Sequence, residues 1–402
     1  MKALSVEAAL ARLSEVIAPL GVETVPVAQA LCRVTGAEVL SACDLPPFDQ
    51  SAMDGYAVST ADVREPPTRL PLAATVAAGP HERVPSMPPA HACRIYTGGL
   101  IPQGADAVVR QEWTARDGDV VVIQRPTPVG QDIRRQGEEL RKGTPLIEGG
   151  RRLNAGHIAL LAMAGVAHVP VRRAPRIVVL VSGDEIVDAG QPLRPGEVFN
   201  ANGPQIVAWL ARAGYPAPRV EPVPDREAAV SDALARAFAW ADLVLTTGGV
   251  SVGDRDLIAP EAEKLGAERL FWKVAQKPGK PVYVARRGAC FLIGLPGNPA
   301  SVLVNLAVFV RRALDRLEGL AEPGPAILPG RLSRTTKADD ERETWLRVHT
   351  QLTPEGMLLH PQGHQASHML SNLAQADALA WLPVSAEPLA AGTLVRWLSM
   401  EL

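Results

Sequence analysis

An alternation of apolar runs and helical segments between residues 175 and 320 constrains the fold of this chain more than any other feature. The apolar runs at 176–181, 242–247 and 290–294 have the length of buried strands, and amphipathic segments separate them. One of these segments has Asp225 at its start, as its predicted N-cap. The alternation predicts an α/β domain with a doubly wound parallel sheet. Because ligands of such sheets bind at the carboxyl ends of the strands, we expect a site in the loops that follow the three runs.

The segments on either side of this region differ from it in pattern. Apolar side chains recur at helical spacing over 5–20, with Ser5 as a plausible N-cap, and 26–40 also reads as helical. From 55 to 148, short β-branched runs between Pro- and Gly-rich turns predict a small, mostly antiparallel β domain. After the proline-rich linker 319–330, short apolar runs predict a C-terminal β barrel or sandwich.

The composition excludes several classes of protein. A net charge of −2 over 402 residues argues against a polycation built to bind nucleic acid. The four cysteines form no CxxC pair, so neither a zinc ribbon nor a disulfide framework is supported. Glu7 and Arg12 interrupt the apolar core that a secretion signal requires, and the longest apolar stretch, 300–310, is too short to span a bilayer. These features predict a cytoplasmic protein that contacts neither nucleic acid nor membrane.

Three glycine-containing loops follow the predicted strands. Ser-Gly-Asp-Glu at 182–185 places two adjacent carboxylates beyond the first strand. The loop TTGGVSVGDRD at 246–256 offers backbone N–H groups and hydroxyls to an anion such as phosphate, and its Asp254 and Asp256 are hard oxygen ligands suited to Mg²⁺. The loop GLPGNP at 294–299 supplies an asparagine and a proline that suit the first positions of a helix. Taken singly, each loop also suits a plain turn or helix start.

The distribution of lysine sharpens the expectation of an anion site. The chain has 34 Arg but only 7 Lys, and four of the lysines lie within the seventeen residues 264–280. From Arg269 to Leu314 there are eight Lys or Arg and no Asp or Glu. A chance cluster on a solvated face is the alternative. Beside the carboxylates of the other loops, this positive stretch suits a polyanion bridged by a metal ion.

Several common catalytic motifs are absent from the sequence. It contains no GxxxxGK[ST], GxGxxG or HExxH, which argues against a P-loop NTPase, a dinucleotide-binding enzyme and a zinc protease. His360, His364 and His368 have helical spacing, but Pro361 and Gly363 interrupt any helix there, so a zinc site is not favoured.

Seven motifs, taken in order, resemble the molybdopterin molybdenumtransferase family, to which bacterial enzymes of molybdenum cofactor synthesis and the C-terminal part of gephyrin belong. The motifs are SAMDGYA at 51–57, TGG at 97–99 with PQGADAVV at 102–109, DIRRQGEE at 132–139, SGDE at 182–185, TTGGVSVGDRD at 246–256, FWKVAQKPGKP at 271–281 and GLPGNP at 294–299. The resemblance covers essentially the whole chain. A GLPGNP loop alone would be weak, because the related molybdopterin adenylyltransferases share that type of loop.

The resemblance implies a fold and a reaction. We expect a mixed multi-domain chain in an elongated homodimer: a discontinuous helical linker domain (1–45 and 141–170), a small mostly-β domain (46–140), a central α/β doubly wound molybdopterin-binding domain (171–320) and a C-terminal β-barrel-like domain (325–402). The implied substrates are adenylylated molybdopterin and molybdate. With Mg²⁺, the pyrophosphate bond is cleaved, AMP is released and molybdenum is placed on the dithiolene sulfurs.

The resemblance also assigns roles to residues. The implied catalytic residues are Asp54, Thr97, Glu139, Asp184, Glu185 and Asp256. The implied metal ligands are Asp184, Glu185, Asp254 and Asp256. The implied substrate-binding residues are Arg134, Thr247, Gly248, Gly249, Ser251, Lys273, Lys277, Lys280, Pro296, Asn298, Pro299, Arg342, Arg347 and Ser367. We expect the cleft to lie between subunits, where Asp54, Thr97, Arg134 and Glu139 of one chain close the α/β site of the other.

Two other functions remain open at this point. An adenylyltransferase that acts one step earlier, on molybdopterin and ATP, would need only the α/β domain. A non-catalytic scaffold is the third reading, since gephyrin is a relative. Transient contacts with the adenylyltransferase and with acceptor molybdoenzymes are expected partners, and the sequence does not distinguish molybdate from tungstate.

Overall fold

A six-stranded sheet lies at the centre of the structure, a computed structural model that describes residues 3–249 and 256–400. Its strands in spatial order are Arg219–Val223, Ile177–Ser182, Leu243–Thr247, Cys290–Leu295, Tyr283–Arg287 and Glu268–Trp272. The first four are parallel, and the last two add an antiparallel hairpin at one edge. The predicted doubly wound sheet is confirmed, and the hairpin is a departure from its parallel order.

Helices cover both faces of this central sheet. The helices Asn202–Arg212, Pro299–Asn305 and Arg311–Leu317 pack on one face, and Glu227–Trp240 and Ile258–Lys264 pack on the other. A π-helical segment, Leu306–Val310, joins the first-face helices that flank it. The prediction that Asp225 caps the helix after it is wrong. Arg226 holds the N-cap position, because a turn in which the Arg226 N–H donates to the Pro224 carbonyl leaves Asp225 outside the helix.

The first helix, Val6–Val16, packs on the central sheet. Ser5 caps it as predicted, its hydroxyl accepting the Ala8 N–H at 3.2 Å. Its buried side chains join the core formed by the strands of the central sheet. The helix ends short of residue 20 because Pro19 disfavours helical backbone at the residue before it.

The predicted helix over 26–40 is wrong. This part of the chain forms the strand Val22–Pro26, the 3₁₀ turn Val27–Gln29 and the strand Val39–Leu40. These strands pair with His168–Arg172 and Pro145–Ile147, and the helix Ala155–Met163 lies between those two in sequence. Pairing with a distant segment overrides the weak helical pattern, and Cys32, at φ 64°, has a backbone that no α-helix contains.

A second six-stranded sheet forms the small β region. Its spatial order is Ala107–Arg110, Gly55–Val58, Ala92–Ile95, Thr68–Val76, Val120–Ile123 and Thr114–Asp117. One neighbouring pair is parallel and the other four are antiparallel, as predicted for a mostly antiparallel domain. The short pair Gln50–Ser51 and Ile133–Arg134 and the 3₁₀ turns Thr60–Val63 and Gln111–Trp113 complete the region.

The C-terminal strands close into a five-stranded barrel. These strands are Leu328–Leu332, Glu343–Thr353, Gly356–Pro361, Ala378–Leu382 and Leu394–Ser399. Closure follows because Glu343–Thr353 pairs with both Gly356–Pro361 and Ala378–Leu382. A sixth strand, Gln276–Lys277, comes from the α/β region and pairs with Glu343–Thr344. The barrel is therefore joined to the α/β region by backbone pairing as well as by side-chain packing.

Over residues 3–249 and 256–400, no helix is both long enough and apolar enough to cross a membrane.

Candidate active site

Three parallel strands end side by side at one edge of the central sheet, where the sequence placed the site. Val181 is in register with Thr247, and Thr247 with Leu295. The Ser182 hydroxyl donates to the Thr247 carbonyl at 3.1 Å, and the Gly248 N–H donates to the Leu295 carbonyl at 3.1 Å. These bonds hold the three loop starts against each other.

The two glycines after the middle strand are required by geometry. Gly248 and Gly249 have φ values of 79° and 63°, which side chains rarely tolerate. A Cβ on Gly248 would lie 3.1 Å from the Ser182 carbonyl oxygen, and one on Gly249 would lie 2.9 Å from Ile258 Cγ1. Thr247 is buried, so the loop offers a ligand its glycine backbone, not that hydroxyl. Ser251 lies outside the described residues.

Exposed carboxylates follow the strand Ile177–Ser182, as the sequence predicted. Asp184 and Glu185 are both exposed, and the Asp184 carboxylate accepts the Asp225 N–H at 3.2 Å. Asp256 is half-buried, and Asp254 lies outside the described residues. In the part of the chain that the structure describes, no three His, Cys, Asp or Glu side chains form a metal-binding group. Mg²⁺ commonly binds through one or two carboxylates with phosphate and water as its other ligands, so this donor set fits an ion that arrives with phosphate.

A buried polar network fixes the turn 276–281, which carries two of the predicted lysines. The Gln276 amide donates to the Gly279 carbonyl at 3.0 Å and to Asn305 Oδ1 at 2.8 Å. Its oxygen accepts the Trp345 indole N–H at 3.0 Å. Because the Gln276 side chain is buried with both its amide nitrogen and its oxygen paired, the turn is held rigidly. Neither Gln276 nor Asn305 was among the predicted site residues.

A cavity of about 290 Å³ lies where this turn meets the GLPGNP loop and a loop of the barrel. It brings together six of the fourteen predicted substrate-binding residues. The predicted residues in its wall are Lys277, Lys280, Pro296, Asn298, Arg342 and Ser367. We call this cavity the cationic pocket.

Asn298 connects two sides of the cationic pocket. It holds the N-cap position of the helix Pro299–Asn305, and Pro299 is the first helical residue, as predicted. Its side chain makes no capping hydrogen bond. Instead the Asn298 amide donates to the Ser367 hydroxyl at 3.0 Å, across the junction between the α/β region and the barrel.

A carboxylate that the sequence analysis missed binds two cations of this pocket. Asp339 accepts the Arg342 guanidinium at 3.0 Å and 3.3 Å and the Lys277 ammonium at 3.3 Å. The Arg342 hydrogen bonds, partly opposed by burial, lower the pKa of Asp339 from its ordinary value of 3.8 to about 2. The signal in the sequence was the spacing of Asp339 and Arg342, three residues apart.

Arg347 and Lys273 are two of the predicted substrate-binding residues that do not line the cationic pocket. Arg347 is buried, and its guanidinium donates to the carbonyls of His364 and Ala366 at 3.1 Å and 3.2 Å. It therefore supports the loop that carries Ser367. The Lys273 ammonium lies 5.1 Å from the centre of the Trp272 ring.

The small β region brings together one predicted pair. The Thr97 backbone N–H and hydroxyl both donate to Asp54 Oδ1 at 2.8 Å. These two hydrogen bonds lower the pKa of Asp54 below its ordinary value. Arg134 and Glu139 are exposed near the end of the same region. Among the described residues, no hydrogen bond or ion pair joins these four side chains to the loops of the central sheet.

Sequence and structure comparisons agree with this architecture. Residues 4–165 match the profile "MoeA N-terminal region (domain I and II)", 178–316 match "Probable molybdopterin binding domain", and 329–400 match "MoeA C-terminal region (domain IV)". A molybdopterin molybdenumtransferase of Nostoc sp. is 35% identical over 92% of this chain and 87% of its own. One of Synechococcus elongatus is 34% identical over 98% and 97%.

Solved structures give the same result. The crystal structure of the molybdopterin biosynthesis moeA protein from Pyrococcus horikoshii OT3 has a TM-score of 0.81 to this chain, with 26% identity over 99% of this chain and 100% of its own. Fold, site and matches together define an enzyme of molybdenum cofactor biosynthesis. The chain belongs to the molybdopterin molybdenumtransferase family, which confirms the resemblance seen in the motifs.

Proposed function

We propose that this enzyme inserts molybdenum from molybdate into adenylylated molybdopterin, cleaving the pyrophosphate bond and releasing AMP. The observation that carries the proposal is the cationic pocket, which gathers Lys277, Lys280 and Arg342 at the carboxyl edge of the central sheet. Three cations and the polar side chains of Asn298 and Ser367 suit a tetrahedral oxyanion such as molybdate.

The phosphate end of the substrate is assigned to the neighbouring loops. The backbone of Gly248 and Gly249, at the end of a buried strand, is open to close approach by a pyrophosphate oxygen. Asp184, Glu185, Asp254 and Asp256 would hold Mg²⁺, which when bound would neutralise the pyrophosphate charge and polarise its phosphorus–oxygen bonds. Lys273 is assigned to the same side, where its charge would help to neutralise phosphate.

The second half of the active site is assigned to another copy of the chain. In a homodimer, Asp54, Thr97, Arg134 and Glu139 of one subunit would face the α/β site of its partner. The Asp54 carboxylate, ionised over a wide pH range through its Thr97 hydrogen bonds, would act as a base or orient water at the pyrophosphate. A cytoplasmic location, and contacts with the adenylyltransferase and acceptor enzymes, remain predictions.

The direct test measures AMP release from adenylylated molybdopterin in the presence of molybdate and Mg²⁺. We expect release by the unaltered enzyme and its loss, by about 10²-fold or more, in Asp54→Ala and Asp256→Ala, because each removes a carboxylate from the reacting centre. Chelation of Mg²⁺ should also abolish release. AMP release that is absent, or unchanged in both variants, would overturn the mechanism.

Incubation with molybdopterin and ATP tests the two alternative functions, an adenylyltransferase and a non-catalytic scaffold. Formation of adenylylated molybdopterin from molybdopterin and ATP would support an adenylyltransferase. The small β region and barrel favour the later step, since that earlier reaction would need only the α/β unit. A protein without turnover in either incubation would be a scaffold.

A further inference from the structure

The described wall of the cationic pocket contains no carboxylate, but Asp339 binds two of the cations in that wall. It lies beside the pocket on the barrel, and its oxygens bridge the Arg342 guanidinium and the Lys277 ammonium. Lys277 comes from the α/β region, so the carboxylate joins cations from two parts of the chain. Without it, two positive charges would face each other and repel.

The position of Asp339 is itself fixed by backbone. Its Oδ1 accepts the N–H groups of Glu341 and Arg342 at 3.2 Å and 3.1 Å. This arrangement is a side-chain turn, in which an aspartate replaces a backbone carbonyl. The carboxylate therefore cannot swing away from Arg342 without breaking the turn.

The charges around the pocket then match a doubly charged ligand. Lys277, Lys280 and Arg342 contribute three positive charges and Asp339 one negative charge, which leaves two positive charges. A dianion with four equivalent oxygens can accept hydrogen bonds from both bridged cations at once. A monoanion of the same shape could contact the same cations, but it would leave one of the two positive charges uncompensated.

We propose that Asp339 is a positioning residue that holds Arg342 and Lys277 together and so tunes the cationic pocket to a doubly charged tetrahedral oxyanion. This inference rests on the proposed function, because it assumes that the pocket binds molybdate. Asp339 acts through its two partners and need not touch the oxyanion. The depressed pKa of its carboxyl group keeps it ionised at every pH at which the enzyme would work.

The test compares binding of molybdate with binding of perrhenate, a tetrahedral oxyanion of single charge, by calorimetry on the full chain. In Asp339→Asn we expect the Kd for molybdate to rise about tenfold, since hydrogen bonds to charged groups contribute about that factor each. The Kd for perrhenate should change by less than about threefold, because its single charge interacts more weakly with the two cations that Asp339 positions. Turnover should show a raised KM for molybdate with a smaller change in kcat.

Asp340→Asn is the matched control, since it removes the same charge one residue away on an exposed side chain. Asp340→Asn should leave the Kd values for molybdate and perrhenate within about twofold of those of the unaltered protein. If Asp339→Asn does not fold, Asp339→Ser keeps a turn-forming side-chain oxygen without the charge.

The outcomes separate this inference from the proposed function. No saturable binding of molybdate to the unaltered protein would overturn the assignment of the pocket, and this inference with it. Molybdate binding that is unchanged or tighter in Asp339→Asn would overturn the inference alone, because Asp339 would then be a bystander or a competitor of the anion. An equal rise of the Kd for molybdate in Asp340→Asn would also overturn the inference, because the loss of any nearby negative charge would then explain the effect.

Discussion

At the scale of single residues, the structure shows how one side chain sets the charge state of another. Both hydrogen-bond donors of Thr97 reach the same oxygen of Asp54. Hydrogen bonds to a carboxylate favour its ionised form and lower its pKa. The backbone N–H belongs to the turn and survives substitution, whereas the hydroxyl does not, so the two contributions can be separated experimentally.

Thr97→Val should therefore raise the pKa of Asp54 toward its ordinary value of 3.8. A carboxyl group with a higher pKa is protonated at a higher pH, so the acid limb of the pH–rate profile for AMP release should move upward in pH. Thr97→Ser keeps a hydroxyl and should leave the acid limb in place. A Val variant with an unshifted acid limb would show that this hydroxyl does not control the ionisation of Asp54.

Residue-level prediction from sequence succeeded where chemistry is local and failed where partners are distant. Ser5 at its N-cap and Pro299 at the first helical position follow rules that involve only a few neighbours. Gln276 was missed because its partner Trp345 lies 69 residues away. Asp339 has a local partner in Arg342, but its contact with Lys277, 62 residues away, could not be read from the sequence. Asn298 was placed correctly, but its side chain serves the pocket instead of the helix.

At the scale of elements, the strand Gly55–Val58 controls the position of Asp54. It lies between Ala92–Ile95 and Ala107–Arg110 and hydrogen-bonds to both. The start of the strand has no room for a side chain, because a Cβ on Gly55 would lie 2.0 Å from the Val109 carbonyl oxygen. The backbone of a neighbouring strand cannot move aside without losing its own pairing.

Gly55→Ala should therefore destabilise the small β region by several kcal/mol, on the order of 2–4 kcal/mol, and displace Asp54 with loss of AMP release. Denaturant unfolding followed by circular dichroism would measure the change in free energy. Gly21→Ala, where nothing lies within 4 Å of the added atom, is the control and should be close to neutral. Equal stability of the two variants would show that the strands shift to accept the methyl group.

An element was predicted correctly where its own sequence pattern determines its structure, and wrongly where pairing with a distant segment does. The central strands are buried along their whole length and read clearly as apolar runs. The segment 26–40 was misread because its strands are two to five residues long and depend on pairing and packing with 145–172. A periodicity rule has no access to such a pairing.

At the scale of the whole molecule, a buried ion network joins the linker region to the α/β region. Arg152 donates to Asp315 at 2.8 Å and to Glu318 at 2.7 Å, and Glu318 also accepts the Tyr215 hydroxyl at 2.6 Å. Asp315 is fully buried and accepts Arg311 at 2.8 Å as well. Loss of the Asp315 carboxylate would leave the guanidinium groups of Arg152 and Arg311 each short of a partner in a low-dielectric site.

Asp315→Ala should accordingly cost about 3–5 kcal/mol of unfolding free energy. The exposed ion pair Arg12–Glu15, at 3.7 Å, offers a comparison, since Glu15→Ala should change stability by less than about 0.5 kcal/mol. Thermal or denaturant unfolding would measure both. A small effect at Asp315 would indicate that water reaches the network and solvates the charges.

The proposed division of the active site between two subunits makes a separate prediction at this scale. Asp54→Ala and Lys280→Ala should each be inactive alone, because each removes one half of every site. A heterodimer isolated with two different affinity tags would contain one site with both halves intact, so its activity should be about half that of the unaltered dimer. Inactive heterodimers would place Asp54 and Lys280 in the same chain's site.

The short strand Gln276–Lys277 sets a limit on how this chain could be recombined with its relatives. It belongs in sequence to the α/β region but in hydrogen bonding to the barrel, where it pairs with Glu343–Thr344. A chimera that exchanged only the residues after 320 would combine the barrel of a relative with this chain's own strand Gln276–Lys277. Crossover points that carry 276–281 along with the barrel would preserve both the pairing and the contact of Lys277 with Asp339. The residues that form the oxyanion site are therefore discontinuous in the chain, and a single crossover in the gene can transfer them together only by also replacing 282–320 of the α/β region.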